Sequence, residues 1–236
     1  MSAKVSFDTS LFNGFSQSGI NFFHDLSRHN NREWFSDNRD RYVRFVSDPM
    51  KQLVQTISPM ISELDSLVIT SPHRVVSRIY RDTRFSADKS PYRPRVWFAF
   101  KRNVECWTAM PTYFFQFDEY EYMFGMGMYS AQATTMRNFR RMIDENPEQF
   151  RRIIEPIQRT RNLKLESDCY KRRIPSEHPA IIDKWYQSKS IAVLGNRKPD
   201  KILFSAKLVD FLIGNFILLK PLYDFLWNAT VITTRN

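Results

Sequence analysis

Apolar residues change their spacing twice along this chain, and the changes divide it into three stretches. In the first, they recur at helical intervals. Ser18 is placed to cap a helix carrying Phe22, Phe23 and Leu26, and His29-Asn30-Asn31 interrupts it. Asn31 then caps a second helix, from Arg32 to about Ser47, with Trp34, Phe35, Tyr42, Phe45 and Val46. Asp48-Pro49 ends that helix and opens a third, because Asp caps and Pro suits a first helical turn. Met50, Leu53, Val54, Ile57 and Ile61 form its apolar stripe.

The middle stretch reads as strands at 74–81, 95–101, 107–117 and 120–129. In 74–81, alternation puts Arg74, Val76, Arg78 and Tyr80 on one face and Val75, Ser77, Ile79 and Arg81 on the other. Asp118-Glu119 reads as the tight turn of a hairpin, with its acids facing solvent. Gly125 and Gly127 share one face of the last strand, which points to close packing of a helix there or to a bulge.

Helical spacing returns after Ser130, with helices over 131–146, over 147–157 behind an Asn146 cap, and over 179–194 stopped by Gly195. Residues 199–228 are the most apolar segment and read as a buried helix, with self-association as a second use. Helices, then strands, then helices predict an α+β fold. Its antiparallel sheet has about four or more strands within 74–129, between N-terminal and C-terminal helices. Six glycines leave no visible linker, so 1–236 reads as a single domain: a docking arm at 1–17 carrying Phe7, Leu11, Phe12 and Phe15, helices at 18–64, the sheet at 74–129 and helices at 130–228.

Charge adds what the apolar pattern does not show. The net charge of +10 suggests an anionic partner: nucleic acid, nucleotide or phosphorylated metabolite. Residues 71–102 hold nine Lys or Arg against two Asp, a surplus that the two acids cannot neutralise. At its centre lie Arg78, Arg81, Asp82, Arg84, Asp88, Lys89, Tyr92 and Arg93. Guanidinium forks suit phosphate and carboxylate groups, so these eight are the candidate ligand-binding residues. Tyr92 would donate a hydrogen bond, and Asp82 or Asp88 would orient the bases or a metal. The alternatives are internal Arg78–Asp82 or Arg81–Asp88 pairs in a non-catalytic interaction module, or a nucleic-acid binder using this region together with 137–173.

No phosphate loop, dinucleotide fingerprint, nucleophile elbow or zinc-ligand spacing is present. The expectation is therefore no resident metal, with Mg²⁺ entering only alongside a phosphorylated ligand at acids such as Asp82, Asp88, Asp118, Glu119 and Glu121. No catalytic residue is assigned, and whether the ligand is turned over is left open. Two cysteines, no apolar signal core and no apolar run of about 18 residues predict a cytoplasmic protein with no membrane span.

The segments Asn30-Asn31-Arg32-Glu33-Trp34-Phe35 and Arg78-Ile79-Tyr80-Arg81-Asp82-Thr83-Arg84-Phe85-Ser86, continuing to Asp88-Lys89 and Pro91-Tyr92, resemble a bacterial conserved-hypothetical family, domain of unknown function 2461. Gly125-x-Gly127-Met128-Tyr129, Arg173-x-Pro175 and His178-Pro179 resemble its later motifs, so the likeness runs from about residue 18 to 228. Arg93 departs from the Lys or Thr more usual after Pro-Tyr. The family implies no activity, but its signature coincides with the segment singled out by charge.

Overall fold

The structure is a computed structural model that describes residues 12–84 and 87–231. Phe7 and Leu11 of the arm, and Phe85 and Ser86 of the signature, lie outside the described residues. The fold is α+β. Helices α1 (Gln17–Arg28), α2 (Arg32–Asp37), α3 (Arg39–Tyr42), α4 (Asp48–Leu64) and α5 (Pro72–Val75) precede strands β1 (Arg95–Phe100), β2 (Thr112–Asp118) and β3 (Tyr122–Gly127). Helices α6 (Ala133–Glu145) and α7 (Pro147–Arg159), strand β4 (Lys164–Glu166), α8 (Ala180–Tyr186), β5 (Ala192–Arg197) and α9 (Lys207–Val231) follow. The strands form an antiparallel sheet in the order β1-β2-β3-β5-β4. In its last pair, Leu165 stands opposite Val193. No helix among the described residues is long and apolar enough to cross a membrane.

The chain groups into two compact units: Met1–Phe100, Phe114–Met123 and Arg197–Ile213 in the first, and Lys101–Tyr113, Phe124–Asn196 and Gly214–Asn236 in the second. The first has an aromatic core. Phe15 lies 4.3 Å from Phe117, Phe23 meets Phe117 edge-on, and Phe22 touches Trp34 and Tyr42. Phe12 and Phe15 are both buried, and the Phe15 N–H donates to the Leu203 carbonyl, so the described end of the arm is docked. In the second unit Phe150 contacts Phe139, Trp185 and Phe225, while Tyr113 stacks on Tyr223.

Both asparagine caps form. Asn31 accepts from the Trp34 N–H at 2.9 Å, and Asn146 accepts from the Gln149 N–H at 3.0 Å. Four local expectations are corrected. Asp48-Pro49 does not separate two helices: a π-turn at Val43–Ser47 runs directly into α4, where Pro49 needs no backbone donor. The expected strand at 74–81 is the end of α5, started by Pro72, followed by extended chain that bridges β1 only singly, at Val76 and Phe98. Residues 107–109 form a 3-10 turn before β2. The helix expected over 179–194 stops at Tyr186, and 192–197 is strand β5.

That last correction explains the paired glycines. A Cβ on Gly125, whose φ is +152°, would sit 2.1 Å from the Val193 carbonyl oxygen. A Cβ on Gly127 would come within 2.8 Å of the Ala192 side chain. The glycines admit a neighbouring strand rather than a helix.

Candidate functional site

The signature segment is a bridged loop. Tyr80 pairs antiparallel with Tyr92, the Arg81 N–H donates to the Pro91 carbonyl, and the Arg93 N–H donates to the Ile79 carbonyl. These bonds place Arg81 and Arg93 beside each other at the loop's base. Tyr92 is the anchor. Its side chain is 4 % exposed and stacks on Phe35 at 4.2 Å, so it belongs to the core. The Asn30 carboxamide holds both backbone groups of Tyr92, donating to its carbonyl at 2.9 Å and accepting from its N–H at 3.0 Å.

A cavity of about 390 Å³ lies in the first unit, lined by Ser27, Arg81, Arg93, Pro94, Arg95, Asp118, Glu119 and Tyr120. Its size falls in the range of small-molecule sites, about 300–1,000 Å³. Of the eight residues singled out by sequence, the fold brings Arg81 and Arg93 to this cavity. Arg78 is exposed and is not part of the lining. Asp82 and Arg84 form a local two-pronged pair at 3.0 and 2.7 Å, and this hydrogen bonding lowers the Asp82 carboxyl to about 2. Lys89 donates to the Thr83 carbonyl at 2.8 Å. The Ser90 hydroxyl, then the Ser90 N–H, hold the Asp88 carboxyl below its ordinary value, and Asp88 pairs with Arg81 at 3.0 Å. Within the segment, the acids and Lys89 therefore shape the loop.

The basic wall consists of Arg81, Arg93 and Arg95. The Arg81 side chain is 23 % exposed, and its buried Nε has no hydrogen-bond partner among the described residues. Arg93 lies over the Trp97 ring, 5.0 Å from its centroid. Burial, then the like charges of Arg81 and Arg95, hold the Arg93 guanidinium below its ordinary value. Among the described residues, no carboxylate lies within 4.0 Å of Arg93 or Arg95. An anion placed here would relieve that repulsion.

The other wall comes from α1 and the β2–β3 turn. Glu119 is not the solvent-facing acid expected of a turn: its side chain is 8 % exposed. Its carboxylate accepts from Ser27 Oγ at 2.9 Å and from His24 Nδ1 at 2.8 Å. Burial pushes the Glu119 carboxyl up, but hydrogen bonds from His24, Ser27 and Tyr120 outweigh it and leave the group below its ordinary value. Asp118 shapes the turn, accepting from the Tyr120 and Glu121 N–H groups. Sequence reasoning missed Ser27, which lies within a stretch that reads only as helix, and counted Arg95 in the cationic surplus of 71–102 without placing it among the candidate residues. Among the described residues, no group of three His, Cys, Asp or Glu side chains could hold a metal ion.

A basic, half-enclosed cavity on an α+β scaffold is thus the site's class, and the comparisons place the chain more closely. The model of the family described as "Conserved hypothetical protein (DUF2461)" matches residues 18–225, and the chain belongs to that family. No curated protein matches it.

Proposed function

We propose that this protein binds a phosphorylated or carboxylated small molecule in the cavity of the first unit, through Arg81, Arg93 and Arg95. The observation that carries this reading is the basic wall. Neither Arg93 nor Arg95 has a carboxylate within 4.0 Å among the described residues, and at Arg93 the like charges of Arg81 and Arg95 outweigh the pull of the more distant Asp82. Planar guanidinium forks bind such oxyanions bidentately. Asp82, Arg84 and Lys89 support the loop, and Mg²⁺ enters only as a counterion brought by a phosphorylated ligand. The exposed free cysteines Cys106 and Cys169 fit a bacterial cytoplasmic setting.

The test is a thermal-shift screen with inorganic phosphate, pyrophosphate, sugar phosphates, nucleotides, dicarboxylates and an oligonucleotide, with and without Mg²⁺. A ligand that binds only the folded chain raises its melting temperature. The expected result is a shift with a small anion that Arg93→Ala removes. A shift with the oligonucleotide alone, falling steeply with salt, would replace this reading with nucleic-acid binding.

A further inference from the structure

The cavity has walls of opposite charge that do not meet. Arg81, Arg93 and Arg95 line one part and Glu119 another, yet none of the three guanidiniums lies within 4.0 Å of the Glu119 carboxylate. Free side chains of opposite charge around a shared space would close on one another. Here each wall is tied to a different element. Glu119 is held from α1 by His24 and Ser27. Arg81 is held by Asp88, and Arg93 by its place over Trp97. Arg81, Arg93 and Glu119 are held apart, with the exposed Arg95 beside them, and the cavity is large enough for a small molecule.

A carboxylate offers about four acceptor positions. Ser27, His24 and Tyr120 engage Glu119, leaving capacity for a further donor. A simple anion uses only the basic wall and brings its own charge towards a buried carboxylate. A ligand with an ammonium group at its other end turns that repulsion into attraction.

We propose that the ligand is a small zwitterion, an aminoalkyl phosphate or a related amino-acid-like molecule, whose oxyanion is held by Arg81, Arg93 and Arg95 and whose ammonium group is held by Glu119. This inference rests on the anion-binding reading above and names the ligand class for the same cavity.

The test compares O-phosphoethanolamine with ethyl phosphate by isothermal titration calorimetry on the full chain. The two share a phosphate monoester and differ in the ammonium group. Phosphoethanolamine is expected to bind at least about tenfold more tightly, the scale of a charge-assisted hydrogen bond. Glu119→Gln is expected to bring the two ligands to parity while ethyl phosphate still binds, with the variant's fold checked by circular dichroism. Equal affinities in the unmodified protein would overturn the zwitterion assignment and leave anion binding standing. A preference that persists in a folded Glu119→Gln would also overturn it. Binding of neither compound would count against both readings.

Discussion

Asn30 grips Tyr92 by both backbone groups, at 2.9 and 3.0 Å, as a neighbouring strand would. The two residues are sixty-two positions apart. They belong to the two segments that carry the family resemblance, and the contact joins those segments. With Tyr92 fixed, the Tyr80–Tyr92 bridge is fixed, and so are Arg81 and Arg93 beside it. Asn30→Ala is therefore expected to cost about 1–3 kcal/mol, the penalty for leaving half-buried polar groups unsatisfied. Asn30→Asp keeps an acceptor for the Tyr92 N–H but sets an anionic oxygen against the Tyr92 carbonyl, so it should cost at least as much. Urea denaturation of the three proteins checks the order. Equal stability of Asn30→Ala and the parent would show that the bracket is dispensable.

Arg140 is a buried guanidinium held by backbone. It donates to the Tyr186 carbonyl at 2.8 Å, the Ser188 carbonyl at 2.7 Å and the Met136 carbonyl at 3.0 Å. The first is the last carbonyl of α8 and the second lies two residues beyond it, at a helix end where carbonyls are unpaired and a cation is favoured. Arg140→Ala is expected to destabilise the fold by about 2–4 kcal/mol. Arg140→Lys should recover only part of this, because an ammonium lacks the planar fork. A loss below about 0.5 kcal/mol in Arg140→Ala, the range of ordinary surface changes, would refute this role.

Two glycines make opposite predictions. Gly125→Ala forces a methyl group against the Val193 carbonyl at a φ that side chains rarely adopt, and a loss of about 3 kcal/mol or more is expected. Gly214 lies inside α9, and an added methyl group there would meet nothing within 4 Å among the described residues, so Gly214→Ala should gain about 0.5–1 kcal/mol from helix propensity. Melting curves of the pair read both signs.

The Asp82 carboxyl, lowered to about 2 by its hydrogen bonds with Arg84, gives a prediction in pH. Its folded value lies below the ordinary 3.8, so its stabilising effect is fully present above that value. The effect is lost as pH falls towards 2. Carboxylate NMR should show Asp82 titrating near 2 in the parent and clearly higher in Arg84→Ala, where the residue-84 N–H still holds the carboxylate but the guanidinium is gone. An ordinary midpoint in the parent would mean that the exposed pair does not persist in solution.

Much of this fold was legible because local chemistry governs it. Asn31 and Asn146 mark helix starts by their own side-chain geometry, and period-two patterning marked β1, β2 and β3. Strand β5 was hidden because Ile191, Ala192, Val193 and Leu194 continue the apolar content of α8. The break between them lies in the polar run Gln187-Ser188-Lys189-Ser190, where Ser190 donates to the Met128 carbonyl. In the site, Arg81 and Arg93 could be read from local charge density. Glu119 and Ser27 could not be joined to them, because those two meet across ninety-two positions and only the folded chain brings them to one cavity.

The most direct test of the basic wall is to locate an anion in it. Crystals grown with tungstate should give an anomalous peak bounded by Arg81, Arg93 and Arg95, and crystals of Arg93→Ala under the same conditions should lose it. Peaks confined to other surfaces, with this cavity holding none, would contradict the account.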